Sequence, residues 1–256
     1  MRLKEFGYLP QGVTIKNGHV SYEAGRYYVS VTAEIDETSR YNNDLEASYH
    51  PQSDGIGVDL GIKSLAIVSD GRIFENINTS SRARRLEKRL RREQRRLSRK
   101  YEMRKRKGGS TATASANIAK KKLSVQKLHQ RLANLRRNHE NQVIHALVEQ
   151  KPRFITVEDL NVTGMIKNRH LSKAVSEQRF YPFREKLRRK AEIIGIEFRI
   201  ADRFYPSSKT CHACGHVHSG LKLKDRVYVC PACGYTEDRD LNAALNLRDT
   251  KNYRIA

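Results

Sequence analysis

The sequence predicts an α/β protein in which a mixed β-sheet is interrupted by an inserted basic helical hairpin and followed by a small cysteine module. Three observations predict this class. Short apolar runs of strand length recur along the chain between segments of helical periodicity. Lys and Arg crowd into one long helical segment, and all four cysteines lie between Cys211 and Cys233. A small N-terminal β-segment precedes the sheet.

The chain is strongly basic, with a formal net charge of +22 over 256 residues. This charge favours a polyanionic partner, because Lys and Arg neutralise phosphates and release condensed counterions. A membrane surface is the competing polyanion, but the cations sit on long polar helices and not beside an apolar anchor. No run approaches the ~20 apolar residues of a transmembrane helix, and the first residues lack a secretory signal. We therefore expect a cytoplasmic protein that binds nucleic acid and no membrane.

The first 80 residues contain two groups of predicted strands. Residues 12–36 alternate apolar and polar side chains on both sides of a turn at 23–25. Residues 37–54 are polar and have no period, so they are interpreted as a linker. Residues 56–74 hold three short apolar runs separated by tight turns, which predicts a three-stranded meander.

Two long helices follow, and each has one narrow apolar seam. The seam of the first consists of Leu86, Leu90, Leu97 and Tyr101, with Glu93 in the gap. The seam of the second consists of Val125, Leu128, Leu132 and Leu135. Small residues at 108–115 separate the two and are interpreted as a loop. Helices joined in this way are expected to fold back as an antiparallel hairpin.

The first of these helices carries over half of the net charge of the chain. Residues 82–107 hold 15 Lys or Arg and three Glu, a net of 15 − 3 = +12. A solvated helix face is the ordinary explanation of a charge run, but here cations surround every side except the seam. Such a helix repels itself unless a polyanion lies against it. The candidate nucleic-acid contacts are Arg84, Arg85, Lys88, Arg91, Arg92, Arg95, Arg96 and Arg99.

The second half of the chain returns to mixed elements. Residues 154–157 form a buried-type strand that ends at Glu158. A helical pattern covers residues 173–194, one more strand covers 196–200, and residues 240–247 predict a closing helix.

The cysteines form two C-x-x-C pairs separated by 15 residues, a spacing typical of a structural zinc site. The candidate zinc ligands are Cys211, Cys214, Cys230 and Cys233. Gly215 and Gly234 each follow a pair, where a positive φ lets backbone amides turn toward the sulfurs. A redox site is the alternative, although it needs only one such pair. Neighbouring histidines are substitute ligands: His212, His216 and His218.

Three acidic residues occupy unusual positions. Asp59 lies inside an apolar strand, Glu158 ends another strand, and Asp240 opens the closing helix. Two strand carboxylates and a helix carboxylate are the metal ligands of RNase H-type folds, where two divalent ions activate a water and stabilise the leaving oxygen of a phosphodiester. Surface carboxylates or helix caps remain the alternative, with Asp238 a plausible N-cap of the closing helix and Asp159 a possible cap after Glu158.

The surrounding segments resemble a known family. Residues 57–63 (GVDLGIK), 157–162 (VEDLNV) and 238–244 (DRDLNAA) resemble the three RuvC-type segments of the TnpB family. Residues 202–211 (DRFYPSSKTC) resemble the segment that leads into the zinc ribbon of that family. TnpB proteins belong to certain insertion sequences and are relatives of the compact type V CRISPR effectors. The resemblance covers roughly residues 55–247.

The resemblance implies an RNA-guided DNA endonuclease. Its partners would be a guide RNA from the transposon end and a target DNA beside a short flanking motif. Its cofactors would be Mg²⁺ held by Asp59, Glu158 and Asp240, and zinc held by the four cysteines. The basic helices would contact the RNA–DNA hybrid.

The resemblance also implies a division into segments. These are a partial wedge-like β-segment and linker (1–54), a RuvC-like core in three parts (55–80, 151–210 and 234–256), the inserted helical hairpin (81–150) and the zinc ribbon (211–233). Family members usually carry more chain upstream, so we expect guided cleavage of duplex DNA to be weak or absent while nucleic-acid binding is retained. Two rival functions remain: a non-cleaving RNA- or DNA-binding protein of the transposon, and a transposase or recombinase that joins strands.

Overall fold

The computed structural model of the chain consists of two compact units. The first combines Met1–Ser48 with Ser81–Arg136, and the second combines Tyr49–Ser80 with Arg137–Ala256. The residues that the structure describes are 7, 9, 13–34, 50–106, 112–222 and 224–256. Among the helices in these ranges, none combines the length with the apolar character that a membrane-spanning segment needs.

The first unit begins with a β-hairpin. Strands β1 (Thr14–Glu23) and β2 (Arg26–Glu34) pair antiparallel. Ala24 and Gly25 join them with φ of 48° and 82°, the two positive values that a tight hairpin turn matching the strand twist requires. Of the strands predicted over 12–36, those over 14–34 are present, and residues 12, 35 and 36 lie outside the described residues. Most of the predicted linker at 37–54 lies outside the described residues.

Helices α1 (Ser81–Arg106) and α2 (Ala112–Glu149) form the predicted antiparallel pair. Glu87 pairs with Arg136, and Glu93, which is further along α1, pairs with Lys121, which is earlier in α2. The two helices therefore run in opposite directions. Four seam residues are buried together, namely Leu90, Val125, Leu128 and Leu132, and Leu86 and Leu97 pack against them.

The hairpin differs from the expectation at its tip. Residues 112–115 of the predicted loop belong to α2, because alanine is the strongest helix former, and the rest of that loop, 108–111, lies outside the described residues. Tyr101 is 45% exposed, so the buried seam of α1 ends at Leu97. Glu93 fills the gap in the seam and is buried between Lys121, at 2.5 Å, and Arg96, at 2.9 Å.

The second unit contains a six-stranded mixed sheet with the order β10-β7-β6-β3-β4-β5. Its strands are β3 (Ile56–Leu60), β4 (Ser64–Val68), β5 (Ile73–Glu75), β6 (Phe154–Val157), β7 (Glu197–Ala201) and β10 (Tyr253–Ile255). Strand β6 is parallel to both β3 and β7, and the other pairings are antiparallel. The predicted meander is the antiparallel run β3-β4-β5. The edge strand β10 was not predicted.

Four further helices belong to this unit: α3 (Val162–Lys167), α4 (Ser172–Gln178), α5 (Phe180–Ile194) and α6 (Arg239–Asp249). The helical pattern predicted over 173–194 is interrupted at Arg179, which has φ 56° and ψ 42°. Tertiary contacts hold this break, because the Gln178 side chain donates to the carbonyls of Gly61 and Ile62 and Arg179 pairs with buried Glu140. Periodicity alone gave no sign of the break.

The two faces of the sheet are packed differently. Ile56, Val58 and Leu60 point into the main core, which α5 and the final turns of α2 complete. Gly57 and Asp59 alternate with them and therefore face the other side, where α6 packs. A Cβ at Gly57 would collide with the backbone of Ala244 and Arg248, so glycine permits the close approach of α6 to β3.

Candidate metal centre and acidic site

The four cysteines form one compact cluster. All are free, and their four sulfurs lie within 4.8 Å of one another. The Sγ atoms of Cys211 and Cys233 are 3.7 Å apart, and those of Cys214 and Cys230 are 3.6 Å apart. Four sulfurs at ~2.3 Å from a tetrahedral zinc would be separated by ~3.8 Å, whereas a disulfide needs ~2 Å. The sulfur geometry therefore fits a metal ion and not a disulfide.

The two C-x-x-C pairs are built as matching turns. The amides of Gly215 and Gly234 donate to the carbonyls of Cys211 and Cys230, and both glycines have positive φ, of 74° and 75°. This is the backbone conformation expected from the sequence. Burial raises the pKa of the Cys230 thiol, but the amides of Cys233 and Ala232 donate to its sulfur and bring the pKa down to about 6. A thiolate stabilised by amides is suited to a metal.

A small core supports the cluster. Strands β8 (Val227–Val229) and β9 (Thr236–Asp238) form a hairpin, and Tyr228 is fully buried beside Cys211 and Cys230. The Tyr228 hydroxyl donates to the Lys209 carbonyl. The candidate histidines are not part of the cluster of metal-ligating atoms found in the described chain.

Two asparagines that sequence reasoning missed connect this module to the sheet. The side-chain amide of Asn242 donates to the carbonyl of Thr210, and its oxygen accepts from the amide of His212. The Asn246 side chain donates to the carbonyls of Ser207 and Thr210. Both residues are buried on α6, one helical turn apart. The sequence did contain a signal for these contacts: two asparagines, four residues apart, lie among the apolar residues of a short helix. Buried side-chain amides need hydrogen-bond partners, so such a pair indicates a contact with another segment.

Asp59 and Glu158 are brought together by strand register. Strands β3 and β6 run parallel with Val58 opposite Val157, so the next residues, Asp59 and Glu158, lie side by side on the same face. The Leu60 amide donates to Oε1 of Glu158 at 3.2 Å and holds this carboxylate at the carboxyl end of the sheet.

Asp240 reaches the same place from α6. It lies one turn before Ala244, whose carbonyl packs over Gly57 on the face that carries Asp59. Asp238 is the N-cap of this helix, as predicted, because its Oδ1 accepts from the amides of Asp240 and Leu241 at 2.9 and 3.1 Å. Its capping role is thus separate from the position of Asp240.

The electrostatics show that the three carboxylates influence one another. Burial raises the pKa of Asp59 to about 7, and the negative charge of Asp240 adds to the shift. Burial and then the charge of Asp59 raise the pKa of Glu158 well above its ordinary value, with Asp240 contributing less. Mutual repulsion in a partly desolvated site is the condition under which carboxylates bind a divalent cation strongly.

Two arginines lie against this acidic group. Arg239 donates through Nε and Nη2 to Oδ1 of Asp240, at 3.2 and 3.0 Å, and Arg226 approaches Oδ2 at 3.8 Å. The oxygens of the three carboxylates do not all fall within 4.8 Å of one another; in the described chain only the cysteines meet that condition. The acidic residues thus share one region, with Asp240 held by guanidinium groups.

Asp159 does not cap the following helix, which was one alternative for it. Asn161 caps α3 instead, accepting from the Gly164 amide. Asp159 accepts from Arg184 and Arg203, each at 2.8 Å. Burial raises the pKa of Asp159, but the two guanidiniums outweigh that effect and leave the pKa below its ordinary value.

The cationic face of α1 forms a broad groove of about 750 Å³. Its lining residues are Arg84, Glu87, Lys88, Arg91, Arg92, Arg95, Arg96 and Arg99. Seven of these are predicted nucleic-acid contacts. The eighth predicted residue, Arg85, is exposed outside the groove, and its Nε donates to the carbonyl of Ser81.

Comparison with known proteins places these features in a class of transposon-encoded proteins. The OrfB_IS605 family model, described as a probable transposase, matches residues 30–169, and a Cas12f1-like TNB domain model matches residues 180–247. The first of these matches covers more than half of the chain. The chain belongs to the OrfB_IS605, or TnpB-like, family.

Individual relatives agree with this membership. A Streptomyces pristinaespiralis protein provisionally named an RNA-guided DNA endonuclease is 33% identical over 240 residues, which cover 93% of this chain and 54% of the relative. InsQ of Escherichia coli strain K12, with the same provisional name, is 30% identical over 91% of this chain and 56% of its own length. The chain therefore spans about half the length of these relatives.

Solved structures share the fold. A chain in a cryo-EM structure of a CRISPR-Cas12f ternary complex matches with a TM-score of 0.56 and 17% identity, covering 95% of this chain and 46% of that one. A chain in the Cas12f1–sgRNA–target DNA complex matches with a TM-score of 0.51 and 16% identity, covering 91% of this chain and 55% of that one.

Proposed function

We propose that this chain is the catalytic part of an RNA-guided, magnesium-dependent DNA endonuclease associated with an insertion sequence. One observation carries the proposal. Parallel strand register and the close packing of α6 on Gly57 bring Asp59, Glu158 and Asp240 to one end of one sheet. Burial and neighbouring carboxylate charges raise the pKa of Asp59 and that of Glu158, so a cation would be needed for both to stay ionised beside Asp240, and paired metal ions hydrolyse phosphodiesters.

The fold supports an RNase H-like, RuvC-type interpretation of the second unit. On that interpretation the core consists of 55–80, 151–210 and 234–256, with 81–150 inserted as a helical hairpin and 211–233 as a zinc ribbon. Residues 1–54 would be a partial wedge-like β-segment and linker. The mixed sheet with an acidic residue on each of two neighbouring parallel strand ends is the feature that supports this division.

Each residue of the proposed site has a separate role. Asp59, Glu158 and Asp240 would hold Mg²⁺, which would activate a water and neutralise charge on the departing oxygen. The Leu60 amide orients Glu158 through Oε1. Arg239 and Arg226, which now neutralise Asp240, are placed to meet a phosphate when a cation takes over that task.

The cysteine cluster would hold one structural zinc. Four thiolates close the coordination shell, so this ion has no open position for substrate. Its contribution is indirect, because Asn242 and Asn246 of α6 bind the segment that leads into the cluster. A folded ribbon therefore supports the helix that carries Asp240.

The guide RNA and target DNA are proposed partners of the cationic groove on α1. The relatives provisionally named RNA-guided DNA endonucleases support this, as does a groove lined by seven cations and one carboxylate. Backbone contacts of this kind bind polyanions without reading sequence, so a guide RNA would supply the specificity.

Strand joining is the second candidate function, because the matched family model is described as a probable transposase. One experiment separates the two. The chain would be purified with its bound RNA, the RNA sequenced, and a matching DNA incubated with Mg²⁺ beside a DNA carrying the transposon ends. A nuclease leaves broken target and no joined product. Joined transposon–target DNA would overturn the endonuclease proposal, and RNA-independent breaks would overturn the guided part.

A further inference from the structure

A pocket of about 240 Å³ lies beside Glu158 at the carboxyl end of β6. Its walls come from the segment after β6, from the first turns of α5 and from Arg203 beyond β7. Binding pockets for drug-sized ligands usually measure ~300–1,000 Å³, so this one suits a smaller group. The pocket adjoins the proposed catalytic site. Of the three proposed catalytic carboxylates, Glu158 lines the pocket, and Asp59 and Asp240 do not.

Two arginines of the pocket are held in position by one carboxylate, that of Asp159. Asp159 accepts one hydrogen bond from Arg184 and one from Arg203, both at 2.8 Å. The side chains of Asp159 and Arg184 are each 15% exposed, whereas Arg203 is 52% exposed. A guanidinium has five N–H donors, so Arg203 keeps several for a ligand. Asp159 is balanced largely by the half-buried Arg184, so the exposed Arg203 is the cation available to a phosphodiester, while Glu158, which also lines the pocket, belongs to the proposed metal site.

An aromatic ring completes the pocket. Tyr181 lines it and is 58% exposed, although Phe180 and Phe183 on the same helix are buried. The Arg184 guanidinium lies 5.8 Å from the Tyr181 ring centroid, which helps to fix the ring. An exposed ring next to a cation is the usual platform for an unpaired base, because every base has a face that stacks.

We propose that this pocket binds one unpaired nucleotide of the DNA strand being cut, next to the scissile phosphate, with Tyr181 stacking on the base and Arg203 binding the neighbouring phosphate. Asp159 is a positioning residue that holds both guanidiniums. The inference rests on the proposed nuclease function, because that function makes the ligand the cleaved strand. With about 240 Å³, the pocket has room for one base but not for a base pair, so the strand is expected to be single at this point.

The test uses the full chain and short single-stranded DNA oligonucleotides carrying 2-aminopurine at each position in turn, with Ca²⁺ replacing Mg²⁺. Binding to the parent chain and to Tyr181→Phe should quench the 2-aminopurine fluorescence, and at several positions, because the oligonucleotide binds without a fixed register. Tyr181→Ala should abolish that quenching and raise Kd about tenfold, the effect of removing the ring on which one base stacks. Arg203→Ala should reduce the salt slope of binding by ~0.7, the value for one phosphate of a single strand. Arg189→Ala, an exposed cation on the same helix, is the control for removal of charge and should leave quenching unchanged.

Equal quenching by the parent and Tyr181→Ala, or an unchanged salt slope in Arg203→Ala, would overturn the pocket assignment. A second readout separates this result from failure of the proposed function. If the parent cleaves DNA and Tyr181→Ala retains both kcat/KM and quenching, the pocket assignment fails and the nuclease stands. If the parent does not cleave but quenching follows the predicted pattern, the nucleotide pocket stands and the nuclease fails.

Discussion

At the scale of single residues, the chain holds Asp59 where an ionised carboxylate is costly. Its pKa is raised to about 7, first by burial and then by Asp240. The folded state therefore keeps a proton that the unfolded state loses near pH 4, and the carboxyl destabilises the fold progressively as pH rises from ~4 to ~7. A cation at the site would remove this cost, which ties the stability of the fold to its proposed chemistry.

Asp59→Asn should therefore stabilise the chain at alkaline pH. We expect a gain of ~1–3 kcal/mol at pH ~8 in magnesium-free buffer, which disappears as pH falls toward ~4. Urea unfolding of both proteins across this pH range measures the difference. Asp54→Asn removes an exposed carboxylate from the segment before β3 and should show no such trend. A parent that is as stable as Asp59→Asn at every pH would contradict the burial argument.

At the scale of elements, α6 combines two roles in neighbouring residues. Asp238 caps the helix and Asp240 faces the acidic site. Asp238→Ala should cost ~1 kcal/mol of stability and leave cleavage mostly intact, because it removes two hydrogen bonds to helix amides and no proposed metal ligand. Asp238→Ser keeps a capping oxygen and should recover most of the loss. Urea unfolding measures the first effect and a cleavage assay the second; complete loss of cleavage in the serine variant would count against separate roles.

The cysteine module is the second element that can be tested alone in the full chain. We predict one tightly bound zinc per chain, and loss of soluble protein in Cys230→Ser, because modules of this size generally fold only around their metal. Elemental analysis of purified protein measures the metal. Ala232→Ser, at an exposed position between the two cysteines, is the matched control and should keep its zinc. A well-folded parent without zinc would refute this prediction.

Helices and strands could be predicted from the sequence wherever the spacing of apolar residues matches the face that the structure buries. The strands of the meander and the helical hairpin follow from period alone, and the capping of α6 follows from Asp238. The break at Arg179 could not be predicted, because it depends on Glu140 and on carbonyls at Gly61 and Ile62, which are distant in sequence. The loop prediction at 112–115 was wrong for a local reason, because the alanines there favour helix and belong to the first turn of α2.

The sequence allowed the residues of the acidic site to be predicted, but not their arrangement in space. Asp59, Glu158 and Asp240 stood out because each departs from its local pattern, and their shared location follows from strand register that no sequence pattern fixes. The pairing of Asp159 with Arg184 and Arg203 was also hidden, because those residues lie on different elements. Their roles in catalysis remain predictions.

At the scale of the whole molecule, the cations clustered on α1 should govern nucleic-acid binding more than the net charge of the chain does. Replacing Arg91, Arg92, Arg95 and Arg96 together by Gln should weaken binding to all RNA–DNA hybrids alike. The salt slope of log Kd should fall by ~1 unit for each phosphate that the variant no longer neutralises. Replacing Arg189 and Lys190, exposed cations on α5, is the control for charge alone. A salt titration of binding by fluorescence anisotropy is the measurement, and salt-insensitive binding by the parent would refute the electrostatic account.

Asp59, Glu158 and Asp240 are proposed to form one catalytic metal centre. The most direct measurement is magnesium-dependent cleavage of an RNA-matched single-stranded DNA, which needs no duplex opening, by the parent and by Asp59→Ala, Glu158→Ala and Asp240→Ala, each shown to be folded and zinc-loaded. The account predicts cleavage by the parent that requires a divalent cation, and loss of at least ~100-fold in each variant while RNA binding stays near the parent value. Near-normal cleavage by Asp59→Ala or Asp240→Ala would contradict it.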